Sequence, residues 1–322
     1  MSPFLMPQVN SIIPYLEDHE IIHLEMGFSF KSIRRKIKQL KGFKSRNKGA
    51  NDLIVFSMYG SLHGFLVRVV LGEKFKIVNT FGGSDILGST NSGLVWRMRN
   101  SLTRFLSFWT AKRVNHVIVK SPNLNLALGS KIGTSISIIP NGVDFGKFQD
   151  LNQKVFLREK FQWKSDLFVV LFSLRRGNSK LESVKNFILA EEVVKELREI
   201  APKEVRLEII TNRSHTEMNE LFNAADCLLL TSFHEGSPNI VKEAMACNLP
   251  VVSVNCGDVE ERLSEVENCY VSMEYDAKEL SSYCLKVLQS EKQNNGRLIL
   301  KSQGLDSETD VQKILSIFKS IA

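Results

Sequence analysis

The feature that most constrains this chain is a rhythm in its second half. Short apolar runs at Leu167–Leu174, Val205–Thr211, Cys227–Thr231, Pro250–Val254 and Cys269–Met273 alternate with stretches of helical periodicity. Runs this short, bounded by turn residues and separated by helices, read as strands of an open parallel sheet. The first half repeats the rhythm less cleanly, at Glu20–Met26, Asp52–Ser57, Phe75–Phe81, His116–Lys120 and Ser135–Ile139. With 322 residues and 43% hydrophobic content, the chain is long enough for two domains with a core each. The expectation is an α/β protein whose two domains face one another across a cleft.

Within that rhythm one segment carries chemistry. Ser232 to Asn255, SFHEGSPNIVKEAMACNLPVVSVN, sets Glu235 and Glu243 eight positions apart around the turn Gly236-Ser237-Pro238. Pro238 suits the first position of a helix, where a missing N–H costs nothing, and Ser237 before it suits the cap. Ile240, Val241, Ala244 and Met245 then recur at helical spacing and face a core, while Asn239 and Glu243 share the opposite face. One carboxylate therefore lies in the loop and the other on the second turn. Between them a helix N-terminus presents unpaired N–H groups and a positive dipole end, a seat for a diphosphate.

These residues resemble the glycosyl transferases of group 1, the retaining family 4 enzymes of GT-B fold. Their C-terminal domain carries two glutamates at this spacing, running into EAMA and, after a short turn, PVV. The resemblance implies two Rossmann-like domains and a nucleotide-diphosphate sugar as donor. It assigns sugar hydroxyls to Glu235, the distal phosphate to the backbone from Gly236 through Ser237 and Pro238 to Asn239, and ribose hydroxyls to Glu243. It also sets an Arg after the first strand of that domain and a Lys opening the next helix, together holding the diphosphate. In SLRRGNSKLESVKNFILAEEVV the candidates are Arg175, Arg176 and Lys185, with Lys180 a further choice for the first role. Fixed cations there would stabilise the charge that develops on a departing diphosphate. No metal and no other cofactor is expected, in keeping with the lack of an Asp-x-Asp pattern.

The segment Ile139-Pro-Asn-Gly-Val-Asp resembles the turn between the two domains of that family, with Asn141-Gly142 making a tight bend. Residues 1–150 would then form an acceptor-binding domain and 151–306 the donor-binding one. The last helix, Ser307 to Ala322, would cross back onto the first domain.

In the first domain the resemblance is sparser. The family's His-containing turn aligns with Thr80-Phe81-Gly82-Gly83-Ser84-Asp85, where Gly82 stands in place of the His. A second family turn aligns with Ser57 to Gly64 and leaves His63 as its imidazole. His63 and Asp85 are the catalytic candidates of this half, beside Glu235; His63 is equally readable as a structural residue, and Asp85 as a cap. The segment Pro3 to Val9 resembles the family's first helix region, which normally follows a central buried strand. Only two residues precede it here, so either the chain is truncated or another segment fills that place.

Charge points toward an acceptor. From Phe30 to Gly49 the chain carries Lys31, Arg34, Arg35, Lys36, Lys38, Lys41, Lys44, Arg46 and Lys48 without an acidic residue, more positive charge than the net +7 of the whole. From Leu94 to Arg113, the residues Leu94, Met98, Leu102, Phe105 and Trp109 share a helical stripe, with Arg97, Arg99 and Arg104 beside it. A basic amphipathic helix next to a polybasic stretch suits an anionic membrane surface; an ordinary domain helix burying its stripe is the plainer alternative. No nucleic-acid-binding module accompanies the charge. Cys227, Cys247, Cys256, Cys269 and Cys284 form no C-x-x-C pair and read as small core residues. No apolar run reaches a spanning length, and MSPFLMPQVN lacks a signal-peptide layout. The expectation is a cytoplasmic transferase, peripheral at the inner face of the membrane. It would move a sugar with retention onto a lipid-linked or surface-polysaccharide glycan. The alternatives are a glycosyltransferase-like subunit that binds without turnover, which Gly82 favours, and a nucleotide-sugar epimerase of the same fold.

Overall fold

The computed structural model describes residues 6–24, 29–50, 53–86, 94–129, 132–174 and 184–322. The chain divides into two compact units: Met1–Asn141 with Glu308–Ala322, and Gly142–Ser307. The first holds a parallel sheet of β1 (Ile54–Met58), β2 (Lys76–Phe81), β3 (His116–Val119) and β4 (Ile136–Ile138), each bonded to the next in chain order. The second holds β5 (Phe168–Ser173), β6 (Val205–Ile210), β7 (Cys227–Leu230), β8 (Val251–Val254) and β9 (Tyr270–Ser272), all parallel in the order β6-β5-β7-β8-β9.

Both sheets are apolar on two faces because helices cover both. In the first unit successive residues alternate between two cores. Ile77, Val117 and Val119 pack with Leu40 and Phe43 of the Phe30–Arg46 helix and with Leu66, Val67 and Leu71 of the Phe65–Leu71 helix. Val78 and Ile118, one residue along, pack with Ile12 and with Val311, Ile314 and Ile317 of the Ser307–Ile321 helix. That last helix presents one side chain per turn to the sheet, each worth about 1.5–3 kcal/mol when fully buried. The second unit closes on a single larger core around β5, β7 and β8, which takes in Cys227, Cys247, Cys256 and Cys284. All five thiols are free.

Three expectations about the first unit need correction. The run Glu20–Met26 gives no strand over its described residues, 20–24. Ile22 and Leu24 are instead partly buried against the helix-lined core, so their apolar character serves packing outside the sheet. No other segment among the described residues takes the place of the family's first strand, since β1 stands at the edge of the sheet and β2 is its one strand partner there. Finally, Asn141-Gly142 makes no tight turn. Gly142 is needed for a close approach, because a Cβ there would lie 2.5 Å from the Asp306 carbonyl oxygen.

The segment after Gly142 belongs to the second unit for reasons visible in its bonds. Val143 bridges Asp306: its N–H donates to the Leu305 carbonyl at 2.9 Å, and its own carbonyl accepts from Ser307 N–H at 3.0 Å. Arg297 donates to the carbonyls of Phe145, Phe148 and Ala246. Gln149 and Leu151 N–H groups donate to the side-chain oxygens of Asn219 and Asn223. These bonds put the division at Asn141–Gly142, ahead of Asp150.

Candidate functional site

In the second sheet the chain order reverses between β5 and β7, and open parallel sheets bind ligands beyond the carboxyl ends of strands at such a point. The loop after β5 and the loop after β7 meet there. Thr231, the residue after β7, donates its hydroxyl to the Lys185 and Asn186 carbonyls, each at 2.9 Å, and Phe233 N–H donates to the Val184 carbonyl at 2.9 Å. Asn186 takes a left-handed conformation (φ 49°) as it opens the Phe187–Ile200 helix. This pinning brings Lys185 to the loop after β7, where its Nζ donates to Glu235 Oε1 at 2.7 Å. Two residues fifty positions apart thus form one charged pair, each with about a fifth of its side chain exposed.

Glu235 leads into Gly236, Ser237 and Pro238 and then the Asn239–Ala246 helix. Pro238 caps that helix at ψ 115° instead of opening it, and Ser237 makes no capping bond. The reason lies in Lys242, only 1% exposed, whose Nζ donates to Ser237 Oγ at 3.0 Å. A buried ammonium thereby holds the turn between the two glutamates. Gly257, at φ 67°, backs the same turn: a Cβ there would lie 2.7 Å from the Gly236 carbonyl oxygen. Ile240, Val241, Ala244 and Met245 are buried, and Glu243 lies on the remaining face. Part of the Glu243 surface still reaches solvent, yet the surrounding protein pushes its carboxyl up to about 7, with neighbouring Lys242 acting the other way. Burial, and then the nearby Glu235 carboxylate, pushes the Cys256 thiol up to about 12, so it stays a neutral wall of the site. Phe233 and Tyr275 pack with tilted rings at 5.2 Å between centroids, and the Tyr275 hydroxyl donates to the Phe233 carbonyl at 3.4 Å.

Arg175, Arg176 and Lys180 lie outside the described residues. Glu235, Gly236, Ser237, Pro238, Asn239, Glu243 and Lys185 all gather in the second unit. Lys242, Thr231, Gly257 and the Phe233–Tyr275 pair were not anticipated. A glycine shortly after a strand is the signal that could have found Gly257; periodicity gives none for Lys242.

The candidates of the first unit sit at the carboxyl edge of its sheet. Asp85, 5% exposed, accepts at Oδ2 from the N–H of Gly60 (3.2 Å) and of Gly82 (3.1 Å). It ties the turn after β1 to the turn after β2. Burial pushes its carboxyl up to about 6 against the pull of those two bonds. His63 is 6% exposed within the turn Gly60–Gly64, so its ring is enclosed by protein. Gly82 has ordinary room for a Cβ, with the Tyr59 ring 3.7 Å away.

Residues 155–300 match the family model of the glycosyl transferases group 1. The match spans most of the second unit, which is thus similar to the glycosyltransferase domain of that group. Around this segment the whole chain has GT-B relatives in structure. Sucrose-phosphate synthase from Thermosynechococcus elongatus superposes with a TM-score of 0.75 at 14% identity, over 98% of this chain and 92% of that one. HepE of Anabaena, in complex with UDP-glucose, gives 0.66 at 18%, over 88% and 82%. A glycosyltransferase from Rickettsia africae gives 0.66 at 18%, over 96% and 87%. At these identities the likeness speaks for the fold, two Rossmann-like units of the GT-B glycosyltransferases. Among curated proteins no sequence matches.

Proposed function

We propose that the protein transfers a sugar, with retention and without a metal, from a nucleotide diphosphate to a glycan acceptor that is lipid-linked or part of a surface polysaccharide. The observation that carries the donor half is the Lys185–Glu235 pair, set beside the start of the Asn239–Ala246 helix at the point where the sheet order reverses. As the bond between the anomeric carbon and the distal phosphate breaks, negative charge develops on the leaving oxygen. Lys185, with Arg175 or Arg176, and the backbone N–H groups of Gly236, Ser237 and Asn239 would meet that charge. Glu235 would hold sugar hydroxyls and Glu243 the ribose, while Lys242 keeps the turn between them in shape. The new bond forms to an acceptor oxygen, and its proton leaves on a phosphate oxygen of the donor. HepE in complex with UDP-glucose supports a uridine donor as the first to try.

The acceptor half rests on the surface of the first unit, and we place it at an anionic membrane face on the cytoplasmic side. Lys31, Arg34, Lys38 and Lys41 are exposed at helical spacing on the Phe30–Arg46 helix, and Phe30 at its start is 78% exposed. Lys36 is not part of this surface, being fully buried. On the Leu94–Ala111 helix Leu102 and Phe105 are 58% and 63% exposed, whereas Ser107, Thr110 and Ala111 are buried. Two residues of the apolar stripe, Leu102 and Phe105, are thus available to a surface, while Trp109 packs edge-on against Phe65. Among the described residues no helix is long and apolar enough to cross a membrane.

Release of sugar from UDP-hexoses, with and without excess chelator, tests the reading. Turnover that survives chelator and falls at least about tenfold in Lys185→Ala is expected, since a charge-assisted phosphate contact is lost. Turnover restored only by magnesium or manganese would contradict it. The bare Gly82 favours a second reading, a subunit that binds donor without turnover, which the same assay separates by nucleotide binding in the absence of release.

A further inference from the structure

At the carboxyl edge of the first sheet, Met58 of β1 pairs with Thr80 of β2, and Thr80 with Ile118 of β3. The next residue after Met58 is Tyr59, at φ 71° and ψ 137°. A bulky side chain on that backbone costs about 1–3 kcal/mol, and glycine is the residue that adopts it freely. Tyr59 is held there from the following positions. Gly60 N–H is bonded to Asp85, Ser61 N–H donates to Ser107 Oγ at 2.8 Å, and Gly60 lies so close to Phe81 that a Cβ would stand 2.1 Å from its ring. The Tyr59 side chain is half-buried, its ring edge covers Gly82, and among the described residues its hydroxyl has no hydrogen-bond partner. Thr80 Oγ1 and Ser121 Oγ, at the ends of β2 and β3, are likewise buried without a partner among the described residues.

Packing explains none of this. A glycine would satisfy the turn without that strain, and a phenol that bonds nothing in the protein has its bonding capacity left for a ligand. We propose that Tyr59 binds the acceptor: its ring lies against a face of the acceptor sugar, and its hydroxyl exchanges a hydrogen bond with a sugar hydroxyl. The inference rests on the glycosyltransferase reading above and adds to it the residue of the first unit that selects a polyhydroxylated acceptor.

The test compares acceptor and donor KM for the parent, Tyr59→Phe and Gly82→Leu, with UDP-hexose as donor and a panel of mono- and disaccharides as acceptors. Tyr59→Phe keeps the ring and removes the hydroxyl; Gly82→Leu fills the space against the ring at a position that has room for a Cβ. Both should raise the acceptor KM, Tyr59→Phe by about tenfold, while the donor KM holds. An unchanged acceptor KM in Tyr59→Phe, or donor and acceptor KM rising together, overturns the assignment of Tyr59 alone. A parent that transfers to none of the acceptors overturns the transferase reading and this inference with it.

Discussion

Asp85 is a buried carboxyl and Glu243 a half-buried one; desolvation displaces the ionisation of both upward, but their surroundings differ. Asp85 has two backbone N–H donors and a structural task, so its pH dependence should appear in stability. Its folded pKa, about 6, lies above its ordinary 3.8. The folded state therefore holds the proton more tightly, and the stabilisation is present below about pH 4 and lost as pH rises to about 6. The shift corresponds to about 3 kcal/mol. Asp85→Asn keeps an acceptor for Gly60 and Gly82 and cannot ionise, so its denaturation midpoint should lack this decline; a decline as steep as the parent's would remove Asp85 as its source. Glu243 should report on ligand. A carboxylate accepts ribose hydroxyls better than a neutral carboxyl, so affinity for a nucleoside, which carries no titrating phosphate, should rise as pH passes about 7. Calorimetry on Glu243→Gln should show that rise gone and affinity reduced about tenfold at pH 8.

At the scale of elements, the second sheet was readable because its central strands β5, β7 and β8 are buried on both faces and so appear as nearly unbroken apolar runs. Glu235 and Glu243 were readable because a turn and a helix fix their separation. Lys242 was not, since periodicity places a lysine on a solvated face unless something inside bonds it, and Ser237 does. Leu102 and Phe105 are exposed. Their helix buries its small residues because the turn after β1 comes too close for larger ones: a Cβ on Gly64 would lie 2.9 Å from Thr110 Cγ2. Glu20–Met26 has the composition of a strand but serves a helix-lined core, a distinction made by tertiary contacts alone. The pairing of Val143 with Asp306 belongs to this scale too. Gly142→Ala places a methyl 2.5 Å from one backbone carbonyl oxygen and 2.8 Å from the Ser307 nitrogen, neither of which a rotamer change can move. A loss of about 1–3 kcal/mol in denaturant unfolding is expected; an unchanged midpoint would mean that the bridge yields freely.

For the whole molecule, the proposed division of labour gives the donor to the second unit and the acceptor, with a proposed membrane surface, to the first. Reversing Lys31, Lys38 and Lys41 to Glu should abolish cosedimentation with vesicles rich in anionic lipid, each cation near such a surface being worth about 1 kcal/mol. Binding should also fade as salt rises. Vesicle binding that ignores both changes would leave a freely diffusing acceptor as the better account. Nucleotide affinity, in contrast, should not respond to those three reversals. The central claim is that the Lys185–Glu235 turn and Glu243 form a nucleotide-diphosphate site, and thermal unfolding with UDP tests it most directly, because a ligand of the native state raises its midpoint by mass action. A midpoint that rises with UDP concentration in the parent, and much less in Lys185→Ala and Glu243→Ala, is the result expected. A midpoint insensitive to UDP and to the other nucleoside diphosphates, or one that rises equally in all three proteins, would contradict it.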